Sequence, residues 1–307
     1  MPSSLDRRIV RTEVGHESRT LIEYLAARFS YHSESEWRER IINSVITLNG
    51  ASAAPETPLS AGDVIEYHVA DLPEPEVDGN YSIVYEDSDL VAVDKPGNLP
   101  CHPAGPFYRH TLWFLLKKRY GDICPVNRLD RETSGLSLWA RTPETAKFFS
   151  KQLGAMRKRY LVLVHGSFEH AMEAEGFLEP DAGSVVRKKL CFAWESSNPE
   201  AKRVCTKFTP LRSGDRLSLI GAELVTGRTH QIRATLFSLG FPVAGDKLYG
   251  LDETMYMRQK ARALTAADFE TLIFPRQALH AWKLFIKLPD GSSLELEAPA
   301  PDFFNNF

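Results

Sequence analysis

The sequence predicts an α+β protein, with a small N-terminal α/β module followed by a larger domain on a mixed, mainly antiparallel sheet. Two amphipathic helical segments and a short hairpin fill the first 70 residues. Residues 71–80 are acidic, rich in proline and without periodicity, which is typical of a linker. The strand candidates beyond this linker are not spaced as regular βαβ units, which disfavours a parallel Rossmann sheet. We therefore predict domains at residues 1–75 and 76–307.

Apolar spacing predicts the elements of the first domain. Residues at helical intervals indicate two helices, one with Leu21, Leu25 and Phe29 and one with Trp37, Ile41 and Ile42. The second helix begins at a capping box, because Ser33 is followed three residues later by Glu36. A strand then ends at the Asn49-Gly50 turn signal. Alternating apolar residues indicate a further strand at Ile65, Tyr67 and Val69.

The second domain is predicted to contain more strands than helices. Residues 82–97 resemble a hairpin that turns at residues 87–89. Further apolar strand candidates are residues 136–142, 160–168 and 216–225. Helices are expected at 111–120, 143–153 and 230–239. Thr142 can cap the second of these helices, with Pro143 at its first position.

Composition narrows the class of protein. The 307 residues are 43% hydrophobic and 25% charged, as in a soluble globular protein. No apolar run reaches the length of a membrane span, and the N-terminal residues lack the apolar core of a secretory signal. The four cysteines are far apart, so we expect reduced thiols in the cytoplasm, with no disulfide and no zinc site. Nucleotide-binding and metal-binding motifs are absent, so we expect no cofactor.

Charge is unevenly distributed along the chain. The formal net charge is −3, but residues 101–170 hold 12 basic and 5 acidic side chains. Such a segment can form a local basic surface for a phosphate backbone. The alternative is that its lysines and arginines decorate solvated helix ends, and charge alone favours this second interpretation.

Three polar segments could carry chemistry. Asp130 lies near Arg128 and Arg131, which favour its ionised form and suit a nucleophile or base, although such neighbours are more often a structural ion pair. Residues 226–233 place polar donors between a strand and a helix, where they can hold an anion or simply form a helix start. Tyr160 opens a strand, where it can stack on a base or belong to the core.

Taken together and in order, these motifs resemble the RluA family of pseudouridine synthases. The resemblance covers roughly residues 80–302, and four ordered motifs make chance agreement improbable. The matching segments are Lys95-Pro96-Gly97, His102-Pro103, residues 128–136, Arg159-Tyr160, residues 227–233, Gly245-Asp246, Tyr249-Gly250, Leu279-His280-Ala281 and Ala298-Pro299. The chain has Asn127 where the family usually has histidine. Residues 19–70 are similar to the S4-type RNA-binding module, although Ser33–Arg40 holds three glutamates where that module carries a basic helix.

The resemblance assigns roles to particular residues. It implies that Asp130 acts as the catalytic carboxylate, that Arg228 pairs with it, and that Tyr160 lies against the target base and accepts a proton. It also implies that Arg128 fills the space left by a flipped uridine and that Ile232 contacts the flipped base. The other substrate-binding candidates are Thr133, His230 and Arg233.

The predicted function is isomerisation of specific uridines in structured RNA by a monomeric, cofactor-free enzyme without membrane attachment. Ribosomal RNA is the favoured substrate and transfer RNA the alternative. Two other classes remain open, namely a catalytically idle RNA-binding assembly factor and an unrelated carboxylate hydrolase. The complete set of Asp130, Tyr160 and Arg228 disfavours the first, and the lack of a second placed carboxylate or metal cluster disfavours the second.

Overall fold

The chain folds into two compact units. A computed structural model describes residues 9–15, 19–29, 32–68 and 74–307. One unit comprises Met1–Glu76 together with His102–His110, and the other comprises Val77–Cys101 and Thr111–Phe307. The segment His102–His110 had been expected in the second domain. It belongs to the first unit, where the Glu74 carboxylate accepts hydrogen bonds from its last three backbone N–H groups, at 2.7–2.8 Å.

The first unit combines two helices with a four-stranded antiparallel sheet. Its elements are β1 (Ile9–Glu13), α1 (Leu21–Arg28), α2 (Glu34–Ile42), β2 (Ile46–Leu48), β3 (Ala51–Ser52) and β4 (Val64–His68). The strand order is β1-β4-β2-β3. Both helices begin at capping boxes, including the predicted Ser33–Glu36 pair, and β2 and β3 form the predicted hairpin at Asn49-Gly50.

The buried face of α2 is narrower than predicted. Trp37 and Ile41 are 0% and 1% exposed, whereas Ile42 is 66% exposed. Ile42 is the last residue of the helix and lies beside Ile41, about 100° further around the helix axis. Strand β1 was not predicted, and Val69 and residues 71–73 lie outside the described part of the chain.

A large mixed sheet organises the second unit. Its strands are β5 (Ser82–Glu86), β6 (Leu90–Lys95), β7 (Cys124–Pro125), β8 (Ser134–Ala140), β9 (Arg157–His165), β10 (Met172–Pro180), β11 (Leu190–Ala193), β12 (Lys202–Arg212), β13 (Leu217–Leu224), β14 (Leu279–Lys287) and β15 (Ser293–Glu297). The main order is β11-β10-β12-β13-β9-β14-β8-β6-β5, with β15 on β14 and β7 on β8. Only β8 and β14 pair in parallel among the described strands. The predicted α+β class and mainly antiparallel sheet are confirmed.

Five helices pack around this sheet. They are α3 (Leu112–Tyr120), α4 (Pro143–Lys151), α5 (Gln231–Ser238), α6 (Thr254–Lys260) and α7 (Ala266–Leu272), followed by a 3-10 turn at Asp302–Phe304. Helices α3, α4 and α5 were predicted, and Thr142 caps α4 as expected. Helix α4 ends at Lys151, short of the predicted residue 153. Helices α6 and α7 were not predicted.

Strand β9 divides the core into two layers. Tyr160, Val162 and Val164 face one side, where they pack in the same core as residues of α5. Leu161 and Leu163 face the other side. Because side chains alternate along a strand, Tyr160 and the inner face of α5 share one side of the sheet.

The parallel junction of β8 and β14 needs a glycine. Gly135 has φ 103°, and a Cβ atom there would lie 2.3 Å from the carbonyl oxygen of Ala281. The absence of a side chain therefore lets the two backbones approach. This junction begins four residues after Asp130, so it helps to fix where that carboxylate lies.

Candidate active site

Asp130 lies in the loop between β7 and β8 and is held by Arg233. Nη1 of Arg233 donates to Oδ2 of Asp130 at 2.8 Å. The same guanidinium donates through Nε and Nη2 to the two oxygens of Asp246, at 2.6 and 2.8 Å. Asp246 is 1% exposed and also accepts the backbone N–H groups of Leu248 and Tyr249. Arg233 is thus oriented by one buried carboxylate and presents its remaining edge to another.

Asp130 is an ionised and partly accessible carboxylate. Burial favours its neutral form, but the charge and hydrogen bond of Arg233 hold its pKa below the ordinary value. Its side chain remains 31% exposed. The site therefore presents an anion of fixed orientation that can act as a nucleophile or stabilise developing positive charge.

Arg228 does not make the ion pair assigned to it. The guanidinium that contacts Asp130 belongs to Arg233, which had been expected to bind substrate, and Arg228 is exposed. The reason is local: Gln231 accepts the backbone N–H of Arg228 at 3.0 Å and turns the chain before α5 begins. Arg233 is the third residue of α5 and lies on its buried face, whereas Arg228 precedes the helix.

His230 occupies a left-handed backbone conformation beside Asp130. Its φ is 58°, and its Nε2 lies 3.9 Å from Oδ1 of Asp130. Burial and the charge of Arg233 lower the pKa of His230 to about 4, so the ring is neutral. Asparagine and histidine tolerate this backbone region better than most residues.

Tyr249 sets the tautomer of His230. Its hydroxyl lies 2.9 Å from Nδ1 of His230 and accepts the backbone N–H of Leu190 at 3.1 Å. Burial raises the pKa of Tyr249, so the phenol keeps its proton and can donate it to Nδ1. We infer that the histidine proton is on Nε2, the nitrogen that faces Asp130.

Buried polar groups fix the loop around Asp130. Nζ of Lys95 donates to the carbonyl oxygen of Arg131 at 3.1 Å and to two carbonyl oxygens in the loop after β6. Lys95 is 0% exposed, and burial lowers its pKa to about 8. On the other side of Asp130, the backbone N–H of Leu129 donates to Sγ of Cys101 at 3.3 Å.

Residues that follow Asp130 continue this support. The Glu132 carboxylate accepts from Nζ of Lys247 at 2.9 Å and from Nε2 of Gln259 at 2.7 Å. Thr133 was a predicted substrate-binding residue, but it is 3% exposed and its hydroxyl accepts from Gln277. Thr133 therefore holds the loop from within and does not present its hydroxyl at the surface. Asn127 braces the same strand, because its Oδ1 accepts the backbone N–H of Leu138 at 2.6 Å.

Tyr160 and Ile232 lie together on the side of the sheet that carries α5. They are 8% and 4% exposed and belong to one apolar cluster. Burial and the negative charge of Asp130 raise the pKa of Tyr160, so the phenol is neutral. Arg128, two residues before Asp130, is exposed. These positions are compatible with the predicted roles of all three residues.

The predicted basic surface is not one surface. Arg157 and Arg159 alternate with Tyr160 along β9 and therefore lie on the opposite side of the sheet. Both contact Glu223, at 3.3 and 2.8 Å. Elsewhere in the same segment, Lys117 pairs with Asp122 and Arg119 with Glu86. The segment's positive charge is thus divided between separate, partly neutralised regions.

Among the described residues, no group of three or more histidine, cysteine, aspartate or glutamate side chains could hold a metal ion. No helix in the described ranges is long and apolar enough to cross a membrane.

Comparison with known proteins identifies the class to which this fold and site belong. The family model described as RNA pseudouridylate synthase matches residues 89–238, which include Asp130, Tyr160 and Arg233. An uncharacterized RNA pseudouridine synthase of Synechocystis is 30% identical over 286 residues, covering 92% of this chain and 94% of the relative. The chain therefore belongs to the RNA pseudouridine synthase family. The predicted enzymatic activity, pseudouridine formation, is confirmed at this level, as is the isomerase class.

Other relatives have different RNA substrates in their names. The ribosomal large subunit pseudouridine synthase D of Nitrosomonas europaea is 34% identical over 72% of this chain and 62% of its own length. The mitochondrial tRNA pseudouridine(32) synthase of Saccharomyces cerevisiae is 30% identical over 76% of this chain and 51% of its own. The chain thus spans only half to two thirds of these two relatives.

A solved structure shows the same fold. Human RNA pseudouridylate synthase domain containing 1 superimposes with a TM-score of 0.57 and 25% sequence identity, covering 75% of this chain and 87% of the human one.

Proposed function

We propose that this chain isomerises uridine in structured ribosomal RNA and that Asp130 is its catalytic carboxylate. The observation that carries the assignment is the ionised Asp130 side chain, fixed by Arg233 and still 31% exposed. The support for ribosomal RNA is the Nitrosomonas relative, of which the chain covers a larger share than of the yeast tRNA enzyme. The cytoplasm is the compartment proposed for this substrate, and a monomer is the proposed state.

The reaction exchanges one bond for another within a single nucleotide. The bond from N1 of uracil to C1′ of ribose breaks, the base turns, and a bond from C5 to C1′ forms. C5 loses a proton and N1 gains one, so atoms and electrons balance without an added reactant. Asp130 can add to the sugar or to the base, or can stabilise the positive charge that develops as the first bond breaks.

We assign proton transfer at C5 to the hydroxyl of Tyr160. The negative charge of Asp130 is one of the causes that raise the pKa of Tyr160. If Asp130 adds to the base, it carries no charge in the adduct, and the pKa of Tyr160 stays lower until that bond breaks as the proton leaves C5. A bond from Asp130 to C1′, by contrast, breaks earlier, when C5 bonds to C1′. Because the phenol is neutral, it gives its own proton to the uracil ring as its oxygen takes the proton from C5. The ring would meanwhile lie against the base, with Ile232 beside it.

A uridine in a folded RNA must leave its stack to reach Asp130. Arg128 is exposed and lies two residues before Asp130 in the same loop, so we assign it to the space that the base vacates. His230 presents a neutral Nε2–H beside Asp130, and we assign it as a donor to a ribose hydroxyl or a uracil oxygen.

We further propose that residues 1–75 form an S4-like RNA-binding module. The support is a compact unit with two capped helices over an antiparallel sheet. Residues 1–70 hold 7 basic and 10 acidic side chains, so this module contributes little phosphate affinity.

Mapping pseudouridine across all RNA of cells with and without the gene tests the proposal. We expect a ribosomal uridine to remain unmodified in the deletion, to be restored by the wild-type chain, and not to be restored by Asp130→Asn. That variant keeps the shape and removes the charge, and we expect activity to fall more than about tenfold, or 1.4 kcal/mol of barrier.

Two results would contradict parts of the proposal. Loss confined to a transfer RNA would replace the substrate and keep the mechanism. Restoration by Asp130→Asn to near the wild-type level would remove Asp130 from its role.

A further inference from the structure

The loop between β10 and β11, residues 181–189, is firmly anchored. The carboxylate of Glu253 accepts from Oγ of Ser184 at 2.8 Å, from the backbone N–H of Val185 at 3.3 Å and from Nζ of Lys189 at 2.7 Å. Lys189 is 4% exposed, so this ion pair lies largely out of water. The neighbouring loop residues therefore have a defined position.

Arg187 and Lys188 in this loop are exposed cations without an acidic partner among the described residues. The ammonium of Lys188 lies 4.2 Å from the centre of the Tyr256 ring. Two exposed cations on β12 of the same sheet are paired by contrast: Arg203 contacts Glu175, and Lys207 lies 3.5 Å from Glu173. An exposed cation that no carboxylate neutralises is available to a phosphate.

The same loop is connected to His230 through two hydrogen bonds. Leu190, the next residue after it, donates its N–H to the Tyr249 hydroxyl at 3.1 Å, and that hydroxyl lies 2.9 Å from His230. The positive charge of Lys188 contributes to the lowered pKa of His230, which indicates that the two groups are close. His230 in turn lies 3.9 Å from Asp130.

We propose that Arg187 and Lys188 bind the phosphate backbone of the RNA strand that carries the target uridine. The inference rests on the proposed role of Asp130. If Asp130 is the catalytic carboxylate, the target uridine leaves its stack beside Asp130 and therefore also beside His230. A phosphate held at a fixed distance from Asp130 would position the flanking nucleotides without reading their sequence. The anchoring by Glu253 keeps that distance constant.

RNA binding across a salt series tests this inference. The parent protein is Asp130→Asn, so that binding is measured without turnover. The test variant adds Arg187→Gln and Lys188→Gln. The matched control adds Arg203→Gln and Lys207→Gln, which remove the same amount of charge from cations that are already paired. These two residues lie on one face of β12, whereas Val204 and Phe208 on its other face pack in the same core as Tyr160. The probes are unmodified transcripts of large-subunit ribosomal RNA and of transfer RNAs from the source organism.

We expect the test variant to flatten the slope of log K against log salt by about 1.4, or 0.7 for each single-strand phosphate contact. The control should change that slope by much less. If the two double variants flatten the slope equally, or neither does, the inference is wrong. Which transcript the parent binds more tightly decides the proposed substrate separately, because the comparison between the two variants can be made on either RNA.

Discussion

Arg233 joins two carboxylates with one guanidinium, and this geometry distinguishes it from a lysine. It donates in parallel to both oxygens of Asp246 and, through Nη1, to Asp130. Lysine keeps the charge but cannot reproduce the planar fork. We expect Arg233→Lys to lower kcat about 100-fold, as a 1 Å misplacement of a reacting group can do. Single-turnover measurement of pseudouridine at saturating enzyme gives this value.

Arg228→Ala is the comparison for that variant. The Arg228 side chain is exposed and does not contact Asp130, so we expect any effect to fall on RNA affinity. A loss of kcat as large as that of Arg233→Lys would return Arg228 to the catalytic role first predicted for it.

Tyr160→Phe separates the ring of Tyr160 from its hydroxyl. The ring is part of the apolar cluster and remains, so the protein should fold and bind RNA as before. The proton-transfer step should slow by about 10² to 10⁴, the usual contribution of general acid–base catalysis. The measurement is kcat together with the dissociation constant for RNA. A normal kcat would leave Tyr160 only a stacking role.

The residues of the site differ in how well the sequence reveals them. Asp130 could be predicted because two signals agree: arginines lie close to it on both sides, and it lies in a segment that matches a family motif. Arg228 and Arg233 lie five positions apart in one motif, and only the position of the first helical residue, Gln231, decides which faces inward. Asp246 was noted as part of a motif, but its role depends on a contact across 13 residues and a buried environment that composition does not encode.

Among the secondary-structure elements, β14 carries a buried histidine at its junction with β8. His280 is 0% exposed, with Nδ1 2.9 Å from the hydroxyl of Ser134 and Nε2 3.3 Å from the carbonyl oxygen of Ala298. The carbonyl accepts the Nε2 proton, and the serine donates to Nδ1, so the neutral ring satisfies both. Burial lowers the pKa of His280 to about 4.

Acid should therefore destabilise the protein through His280. In the unfolded chain, His280 has the ordinary histidine pKa of about 6.5, whereas in the folded chain its pKa is about 4. Between these two pH values only the unfolded chain binds the proton. The stability that is fully present above pH 6.5 is therefore lost as the pH falls toward 4. The full contribution is about 3 kcal/mol. We expect His280→Gln to flatten the fall of the unfolding free energy with pH, and the exposed His170→Gln to leave it unchanged. Denaturant unfolding at a series of pH values measures both, and equal slopes for the two variants would contradict the assignment.

The elements that the sequence revealed are those with a strong local signal. Helix α4 has a capping threonine and a first-position proline, and β5 and β6 are joined by a tight turn. Strands β10 and β12 were not predicted, because their exposed faces carry charged residues. Glu173 and Lys207, for example, pair across the two strands, and this pairing is not visible in the linear sequence. Along the chain, such a half-exposed strand resembles a charged loop. Helix α7 has only seven residues, and its main local signal is the capping box formed by Thr265 and Asp268.

For the whole molecule, net charge by segment is a poor guide to the RNA-binding surface. Residues 101–170 hold 12 basic and 5 acidic side chains, yet several of the cations are paired with acids from other segments. Arg157 and Arg159 share Glu223 of β13, and Arg119 pairs with Glu86 of β5. Folding thus distributes the charge in a way that a count along the chain cannot show.

Neutralising these paired cations together should change RNA binding little. We expect Lys117→Gln, Arg119→Gln, Arg157→Gln and Arg159→Gln, combined in one variant, to alter the slope of log K against log salt by less than about 0.7, the value of one phosphate contact on a single strand. A cation that already has a carboxylate partner neutralises little phosphate charge and therefore displaces few counterions from the RNA. At about 0.15 M salt, the electric field of the four lost charges is also screened beyond about 8 Å. The measurement is the same salt series in the Asp130→Asn background. A slope that flattens by about 2 or more would mean that the basic segment holds RNA as one surface despite its acidic partners.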